Sequence, residues 1–333
     1  MIQSRITLSE ISKALNVSIS TVSKSLSNST EISAHTKKRV QEFAKQCNYV
    51  PNNFAVSFRK GSSNTIGLVI PNILNPFYAK VLVGIENYLD KYGYKLITSI
   101  SDETIEKESK SLSKMAGGYI DGLIICVSKE TELKSNYNHI NELINQGTPV
   151  VMFDRICETL NCDKVIIDDY KAAYDATEHL IKDKGCKHII ITSLIDDMHH
   201  GKLRVKGFKD AMKAYNLEAN TGVLVAGTAE ELKQKLETKL KMDTSIDAIF
   251  GVNEQAVLQS IHTTRQLKSE GLNKHIKIAG FCNQCQADYN PMLIIVNQNA
   301  KEIGVEAAKL ILNRIKKTTN KGFQTKTVEV YLT

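Results

Sequence analysis

The stretch ITLSEISKALNVSISTVSKSLSN, residues 6–28, predicts two short helices joined by a tight turn. Thr7 and Glu10 have the spacing of a capping box, in which each side chain accepts a hydrogen bond from a free backbone N–H at a helix start. Apolar residues then recur at helical spacing, and Ser18 offers the cap of a second helix. Two short helices in this arrangement predict a helix-turn-helix.

The second helix is expected to present a polar outer face. With Val22 and Leu26 turned inward, Ser20 and Lys24 fall on the opposite side at about 100° per residue. Serine can hydrogen-bond to any base, and lysine reaches guanine acceptors or phosphate. Ile19 lies nearer the core side, where it either packs internally or meets a thymine methyl. The alternative of plain packing with a solvated face is outweighed by the two helix caps and the local basic charge.

Basic residues are concentrated at the N-terminal end. The chain has 333 residues with 43 Lys+Arg and 36 Asp+Glu, and residues 1–60 alone hold nine basic and three acidic side chains. The other 273 residues are close to neutral, with 34 basic and 33 acidic side chains. A positive N-terminal region on a neutral body indicates a polyanion partner for that region only. This distribution excludes a uniformly basic, ribosomal type of protein.

A third helix is predicted to begin at Ser33 and to end before Pro51, because proline disfavours helical geometry in the preceding residue. The basic run at residues 37–39 is either a solvated helix face or a phosphate contact. Four residues at helical spacing form the inner face and close a three-helix core: Val40, Phe43, Ala44 and Cys47.

Residues 6–33, together with KKRVQEFAKQCNYVPN at residues 37–52, resemble the DNA-binding domain of the lactose/galactose repressor (LacI/GalR) family, and the similarity continues to the C-terminus. The resemblance implies an N-terminal all-α helix-turn-helix domain with a hinge, followed by an α/β body of two doubly wound parallel-sheet subdomains like those of periplasmic binding proteins. It matches Ile19, Ser20 and Lys24 to the principal base-reading positions. The expected DNA-contacting residues are Thr7, Ser18, Ile19, Ser20, Thr21, Ser23, Lys24, Asn28, Asn52 and Phe58.

Residues 52–60, NNFAVSFRK, match the family's hinge, which becomes helical when two copies pair over the centre of an operator. The family usually has Arg-Ser-Leu where this chain has Val56-Ser57-Phe58. Phe58 can take the role of the leucine that wedges into a minor-groove base step. Val56 lacks the phosphate contacts of the arginine. The alternative is that Phe54 and Phe58, four residues apart, only hold two hinge helices together.

The rest of the chain alternates apolar runs with amphipathic segments, which predicts two series of parallel strands and helices. The first series of strands is placed at residues 66–70, 94–100, 121–127 and 149–154, and the second at 164–168, 188–193, 222–227, 247–253 and 277–281. A final strand at 293–296 and a helix at 300–317 are expected to return to the first half. The predicted domains are a helix-turn-helix domain at 1–50, a hinge and linker at 51–63, a first effector-binding subdomain at 64–161 and 297–319, and a second at 162–296 and 320–333.

Ligands of open parallel sheets bind beyond the carboxyl ends of the strands, so a site is expected between the two halves. The residues at these ends are polar with some aromatics, which suits a small hydroxylated ligand. Resemblance matches four of them to effector-contacting positions of sugar-responsive relatives, namely Asp154, Arg204, Asn253 and Gln298. The full expected set is Asn75, Phe77, Tyr78, Asp102, Asp154, Arg155, Arg204, Asn253, Asn283 and Gln298.

One position departs from the family pattern. Cys282 stands where the family usually has an effector-contacting aspartate, and a thiol cannot accept hydrogen bonds from two sugar hydroxyls. Asn283 is a candidate to compensate. Because Arg204 can pair with a carboxylate or phosphate, a sugar acid, a sugar phosphate or another anionic metabolite competes with a neutral sugar. The alternative roles are structural: ion pairs for Asp154 and Arg204, and a helix cap for Asn253.

Enzyme, cofactor and metal motifs are lacking in the sequence. There is no phosphate-binding glycine loop and no nucleophile elbow, so neither catalysis nor a cofactor is expected. Adjacent His199 and His200 cannot easily face one ion, and they are expected on a loop surface or lining the ligand site. Cys282 and Cys285 have no second pair at zinc-ligand spacing and are taken as reduced thiols. Seven cysteines in a large domain argue against an extracellular disulfide framework.

Together these features predict a sequence-specific transcriptional regulator, a repressor that binds a palindromic operator as a homodimer under control of a carbohydrate-derived effector. No signal peptide is recognised and no apolar run approaches the roughly 18 residues of a membrane span, so no membrane association and a cytoplasmic location are expected. The tail lacks the leucine heptads that some relatives use to tetramerise, which favours a dimer. Two alternatives stay open: a global regulator controlled by a partner phosphoprotein, and a solute-binding protein, which would not need residues 1–60.

Overall fold

The structure is a computed structural model that describes residues 6–50, 62–271, 274–282, 293–318 and 322–333. The chain divides into two compact units, Met1–Ser63 and Asn64–Thr333, called here the head and the body. The predicted hinge, with Asn52 and Phe58, lies outside the described residues, as does Asn283. None of the helices in the described ranges is long and apolar enough to cross a membrane.

The described part of the head, residues 6–50 and 62–63, contains three helices, α1 (Leu8–Leu15), α2 (Ile19–Leu26) and α3 (Ala34–Gln46). Their inner faces form a small apolar core, built from residues that the helical spacing of the sequence placed on the inner side. The buried members of this core are Ile11, Leu15, Val22, Val40 and Ala44. The predicted three-helix head is therefore confirmed.

The body begins with a six-stranded parallel sheet in the order β11-β5-β4-β3-β1-β2. Its strands are β1 (Thr65–Ile70), β2 (Lys95–Ile100), β3 (Gly122–Ile125), β4 (Val150–Phe153), β5 (Asp163–Ile167) and β11 (Thr325–Val328). Central strands β1, β3 and β4 are buried along their whole length, as expected of a sheet covered on both faces. The helices of this half are α4 (Pro76–Asp90), α5 (Ile105–Met115), α6 (Lys129–Lys134), α7 (Asn138–Asn145) and α12 (Ala300–Ile315).

A second six-stranded sheet has the order β12-β10-β9-β8-β6-β7 and is parallel except for β12, which runs antiparallel to β10. Its strands are β6 (Ile189–Ser193), β7 (Thr221–Val225), β8 (Ala248–Gly251), β9 (Lys277–Phe281), β10 (Leu293–Asn297) and β12 (Tyr331–Leu332). The helices of this half are α8 (Asp169–Lys182), α9 (His199–Ala214), α10 (Ala229–Met242) and α11 (Glu254–Ser269).

Two strand assignments from the sequence are wrong. The strand predicted at 164–168 as the start of the second series is β5, which pairs with β4 in the first sheet. Residues 154–162 join these parallel strands without an α-helix, and the missing crossover helix made β5 resemble the start of a new series. The strand predicted to return to the first half, β10, instead pairs with β9 in the second sheet.

Helix α12 does return to the first half, as predicted, and crosses α4 at very short range. A Cβ atom at Gly304 would lie 2.1 Å from the carbonyl oxygen of Val81, and one at Gly84 would lie 2.1 Å from that of Lys301. Both positions therefore require glycine. The close crossing fixes the late helix α12 against the earliest helix of the body.

The last residues of the chain connect the two sheets. Strand β11 completes the edge of the first sheet, and β12 follows after Glu329 and Val330 at the edge of the second. The backbone of Thr333 exchanges hydrogen bonds of 3.1 and 2.8 Å with Ile295 on β10. The largest buried apolar cluster also includes residues of both sheets, so the two halves form one continuous packed unit.

Candidate nucleic-acid interface and ligand cavity

Helix α2 presents the predicted polar face to solvent. Val22 is fully buried, whereas Ser20 is exposed and Ile19 is 50% exposed. Ile19 is therefore not part of the buried core of the head, and its contact with a thymine methyl stays a prediction. An exposed apolar side chain beside small hydroxyls is the combination that a thymine methyl and neighbouring base edges accept.

The helix starts in the head are capped as the sequence predicts. Thr7 Oγ1 accepts a 3.3 Å hydrogen bond from the backbone N–H of Glu10, whose carboxylate accepts a 2.7 Å bond from the Thr7 N–H. The hydrogen bonds that the backbone N–H and then the hydroxyl of Thr7 donate to the carboxylate lower the pKa of Glu10. Ser18 Oγ accepts a 3.0 Å hydrogen bond from the Thr21 N–H at the start of α2. The predicted DNA-contacting hydroxyls of Thr7, Ser18 and Thr21 thus also fix the helix ends.

The remaining predicted head residues lie close to the end of α2. Lys24 forms an ion pair with Glu31 in the loop before α3, which holds its ammonium group within the head. Ser23 is half-buried. Asn28 adopts a left-handed conformation with φ of 57°, and its Oδ1 accepts a 2.7 Å hydrogen bond from Gln41 on α3.

Part of the basic run on α3 has an internal role. Arg39 donates a 2.6 Å hydrogen bond from Nη2 to the carbonyl oxygen of Leu15 at the end of α1. Carbonyl groups at a helix end have no partner within the helix, and cations stabilise them. Arg39 therefore ties α3 to α1, whereas Lys38 beside it is exposed.

In the body, the carboxyl ends of the two sheets enclose a cavity of about 640 Å³. Its volume falls within the range of small-molecule sites. Eight of the ten predicted effector residues line it: Asn75, Phe77, Tyr78, Asp154, Arg155, Arg204, Asn253 and Gln298. The lining also contains residues that sequence reasoning did not name, among them Asn72, Glu103, Glu254 and Phe281. The fold therefore brings most of the predicted set together at one edge.

The first of these residues sit at the start of α4. Asn75 caps this helix, with its Oδ1 accepting a 2.9 Å hydrogen bond from the Phe77 N–H. The rings of Phe77 and Tyr78 meet edge to face at 5.2 Å. Tyr78 is only 3% exposed, and its hydroxyl lies 3.7 Å from the Cys126 sulfur. Its burial raises the pKa of Tyr78 well above the ordinary value.

Asp102 is not part of the cavity lining. It is exposed and pairs with Lys107 at 2.6 Å, while the next residue, Glu103, lines the cavity. Both residues adopt left-handed conformations, with φ of 50° and 60°. Because these two residues leave the extended geometry of β2, Glu103 rather than Asp102 reaches the cavity. The sequence prediction assumed that the chain continued straight from β2, and it therefore named the neighbouring carboxylate.

Asp154 occupies the end of β4 with φ of 61°, a strained conformation that aspartate tolerates better than most residues. Its Oδ2 accepts a weak hydrogen bond from the Cys126 thiol, at 3.8 Å from the sulfur. Burial raises the pKa of Asp154, although Arg155 and Arg204 nearby oppose the shift. The two arginines therefore do not fully offset the effect of burial on this pKa. No structural ion pair of Asp154 is found among the described residues.

Both arginines of the cavity are held by carboxylates. Arg155 is 8% exposed and forms a two-pronged pair with Glu103, with distances of 2.5 and 3.0 Å. Arg204 is 3% exposed and donates from Nε to Asp169 at 2.7 Å. The structural ion pair considered for Arg204 is thus present. Burial raises the pKa of Asp169 to about 6, against the opposing effect of Arg204.

Arg204 is fixed further by two other contacts. Its Nη1 donates a 2.8 Å hydrogen bond to the carbonyl oxygen of Val252, and its guanidinium carbon lies 3.6 Å from the centre of the Phe281 ring. Stacking on an aromatic face is a favoured arrangement for guanidinium. One face of Phe281 is therefore covered by Arg204.

Asn253 precedes α11 but does not cap it through its side chain. Its Oδ1 is buried and accepts no hydrogen bond from the described residues. The alternative role of a helix cap is thus not observed. A buried acceptor with no protein donor, on the wall of a cavity, is suited to a ligand that donates a hydrogen bond.

The histidine pair starts α9, on the second half. His200 is buried and lines the cavity, and burial together with the nearby Arg204 and Arg155 lowers its pKa well below the ordinary value. Its ring is therefore neutral near pH 7. Within the described ranges, no group of three potential metal ligands occurs.

Cys282 is buried on the cavity wall at the end of β9, and its sulfur lies 3.9 Å from Oε1 of Glu254. The position predicted from the family pattern therefore faces the cavity, with a thiol and a neighbouring carboxylate in place of a single aspartate.

Helix α6 connects the two halves beside the cavity. Its first N–H, from Lys129, donates a 2.6 Å hydrogen bond to Glu103, and the Lys129 ammonium pairs with Asp197 of the second half at 2.8 Å. Glu132 Oε1 accepts a 2.7 Å hydrogen bond from the His199 N–H, the first of α9. Since α9 otherwise has no side-chain cap, a carboxylate from one half completes a helix of the other.

Comparisons with known proteins agree with this two-part organisation. A family model described as bacterial regulatory proteins, lacI family, matches residues 7–52, and one described as periplasmic binding proteins and sugar binding domain of LacI family matches residues 63–332. Catabolite control protein A of Priestia megaterium is 32% identical over 94% of each chain. The HTH-type transcriptional repressor PurR of Aliivibrio salmonicida is 29% identical over 93% of this chain and 92% of its own.

Solved structures share the fold. The lac repressor dimer bound to operator and the anti-inducer ONPF superimposes with a TM-score of 0.82 at 18% identity, covering 99% of this chain and 98% of that one. A transcriptional regulator CelR–cellobiose complex gives a TM-score of 0.69 at 22% identity, with the same two coverages.

A helix-turn-helix head followed by a body of the periplasmic-binding-protein fold defines a class of DNA-binding transcriptional regulators. This chain belongs to the LacI family of bacterial regulatory proteins.

Proposed function

We propose that this LacI-family regulator is a cytoplasmic repressor that binds a palindromic operator as a homodimer and releases or retains it according to a carbohydrate-derived effector in the cavity. The observation that carries the proposal is the pairing of an exposed, capped helix α2 in the head with a cavity in the body whose wall holds a buried acceptor, Asn253 Oδ1, without a protein donor. No catalytic step is part of the proposed function.

In the head, α2 enters the major groove with Ser20 and Lys24 toward base edges and Ile19 toward a thymine methyl. The hydroxyls of Thr7 and Ser18 at the helix starts, and the exposed cations of the head, contact phosphates. Two copies then occupy half-sites about one helical turn apart. Asn52 and Phe58 are proposed to contact the operator between the half-sites, with Phe58 opening a base step.

In the body, the cavity is bordered by both halves, so a ligand that binds it changes the relative stability of open and closed arrangements. Any such coupling to DNA affinity must be reciprocal, because operator and effector act on the same equilibrium. Helix α6 connects the cavity wall to the second half. Glu103, which accepts a hydrogen bond from the first N–H of α6, lines the cavity, and Glu132 of α6 accepts one from the first N–H of α9.

The DNA part is tested by selecting binding sites for the full-length protein from random duplexes, and then measuring affinity by fluorescence anisotropy. We expect a palindromic consensus with half-sites about 10 base pairs apart. Lys24→Ala should cost about 1–3 kcal/mol of discrimination at one base pair. The matched control is Lys45→Ala, an exposed lysine near the end of α3, which should leave base preference unchanged. Unaltered specificity in Lys24→Ala would remove α2 as the reading helix.

Effector control is tested on the same protein–operator complex. We expect at least one small molecule to change both the operator affinity and the melting temperature of the free protein, because binding to the folded state alone stabilises it. If small molecules change neither, while a phosphorylated protein partner captured by the body does change operator affinity, the alternative of a partner-controlled regulator replaces effector control.

A further inference from the structure

The charge of the cavity lining points to the kind of ligand that fits it. The described lining has three carboxylates, Glu103, Asp154 and Glu254, and two guanidinium groups, Arg155 and Arg204. His200 adds no charge, because its pKa is depressed. Asp169 lies directly behind Arg204 and adds a fourth carboxylate. Carboxylates therefore outnumber cations around this cavity.

Both guanidinium groups are largely engaged by the protein. Arg155 uses both terminal nitrogens on Glu103 and also donates to the carbonyl oxygen of Val127 at 3.1 Å. Arg204 uses Nε on Asp169 and Nη1 on Val252, so its described hydrogen bonds leave only Nη2 for a ligand. A phosphate or carboxylate that sought two-pronged binding would have to break one of these bonds. Where it displaced Asp169, a buried carboxylate would lose its cation, which is costly.

Two acceptors on the wall remain for a donor. Asp154 takes a weak thiol hydrogen bond and forms no ion pair with the described residues, and burial raises its pKa against the opposing effect of Arg155 and Arg204. Asn253 Oδ1, from the other half, is buried and accepts nothing from the described residues. In the opposite sense, Arg155 Nε is a buried donor with no acceptor in the described residues, and a hydroxyl oxygen would satisfy it.

Resting on the function proposed above, we propose that the cavity takes a ligand bearing a primary ammonium group together with hydroxyl groups, an amino sugar in chemical class, with Asp154 as the counter-charge of the ammonium. The cavity volume of about 640 Å³ accommodates a sugar. An anionic sugar would add negative charge where carboxylates are already in excess, and a neutral sugar would bring no cation to the buried carboxyl group of Asp154.

The test uses isothermal titration calorimetry on the full-length protein with matched ligands. For each of the gluco, galacto and manno series, the 2-amino-2-deoxyhexose, the parent hexose, the hexuronate and the hexose 6-phosphate are compared at one pH and salt concentration. In at least one series we expect the amino sugar to bind at least tenfold more tightly than the parent, because a buried ammonium–carboxylate hydrogen bond is stronger than a neutral one. We expect the uronate and the phosphate to bind more weakly than the parent.

Three results would overturn the proposal: a uronate or phosphate that binds as tightly as the amino sugar, a parent hexose that does so, or no amino sugar binding in any series. Operator binding by the same preparation is measured in parallel. Operator binding without an amino-sugar preference would reject this inference and leave the DNA-binding function intact, whereas loss of operator binding would reject the function itself.

Variants assign the preference to one residue. Asp154→Asn keeps the size and the tolerance for φ above zero and should lower the ratio of amino-sugar to parent affinity at least tenfold. Asp102→Asn is the matched control, since Asp102 is also left-handed but exposed and outside the lining; its ratio should not change. A second variant tests for an increase: Asn253→Asp adds a carboxylate on the opposite wall and should raise the ratio of amino-sugar to parent affinity. If neither Asp154→Asn nor Asn253→Asp changes this affinity ratio, these two positions do not determine the preference for an amino sugar.

Discussion

The head and the body hold their candidate functional side chains in opposite ways. On α2 of the head, Ser20 and Ile19 are exposed, and the core lies on the other side of the helix. In the body, Arg155 and Arg204 are buried, and each forms part of an ion pair that also holds the fold together. At Ser20 and Ile19 recognition is therefore separable from stability, whereas the buried arginines of the cavity also stabilise the body, and this difference can be measured.

The largest effect is expected for Arg204→Ala. Removing Arg204 leaves Asp169 buried without its cation, which should lower the free energy of unfolding by about 3–5 kcal/mol. The measurement is urea denaturation of the full-length protein followed by circular dichroism. Lys202→Ala, an exposed position on the same helix, should change stability by no more than about 0.5 kcal/mol. A loss below about 1 kcal/mol in Arg204→Ala would contradict the combined role.

A smaller effect is expected for Glu132→Ala, which removes the carboxylate that caps α9 from the other half. The charge-assisted hydrogen bond to a helix N-terminus should be worth about 1–2 kcal/mol. Hydrogen exchange at the His199 amide should also become faster. Glu142→Ala on the exposed face of α7 is the control. If both variants behave alike, α6 does not tie the halves together.

In the head, Thr7→Ala should cost about 1 kcal/mol by removing the N-cap of α1. The unfolding of the body should not shift, because the described hydrogen bonds of Thr7 are made to Glu10 in the same helix turn. Thr30→Ala, an exposed threonine between α2 and α3, serves for comparison. A body transition that moved with Thr7→Ala would show that the two regions are not independent.

The smallest effect concerns the pKa of Glu10, which Thr7 lowers through hydrogen bonds to the carboxylate. Because the folded-state pKa lies below the unfolded one, the stabilisation from Glu10 is present above the unfolded pKa and is lost as pH falls through the folded pKa. An NMR titration should place the midpoint of Glu10 below its ordinary value, and Thr7→Ala should return it toward that value. Equal midpoints in the two proteins would show that the Thr7 hydroxyl does not lower this pKa, since the variant keeps the backbone N–H at position 7.

The head was predictable almost to the residue because its helices are short, capped and amphipathic, so spacing alone sorts inner from outer positions. Val22 and Ser20 lie where the helical period places them. The ion pair of Lys24 with Glu31 was missed, since Glu31 lies in a loop whose path no periodicity describes.

In the body, strand ends predicted most of the cavity lining, because parallel strands deliver their carboxyl ends to one edge. What the sequence could not reveal were the carboxylates that hold the arginines. Glu103 and Asp169 meet their partners 52 and 35 residues away in sequence, through contacts that only the folded chain creates. The crossing of β5 into the first sheet escaped prediction for the related reason that its connection lacks the usual helix.

The route of the chain between the two sheets has a consequence for how the protein is made. The first sheet receives β5 by residue 167, but its helix α12 and its edge strand β11 come only after the whole second sheet apart from β12. At roughly 5–20 residues per second of synthesis, the stretch from residue 167 to residue 300 takes roughly 7–27 s. During that time the first half carries an uncovered face, whereas helices α1, α2 and α3 of the head are already synthesised by Gln46. The nascent chain should therefore acquire its DNA-reading part first and finish both halves of its body together, at the last residues.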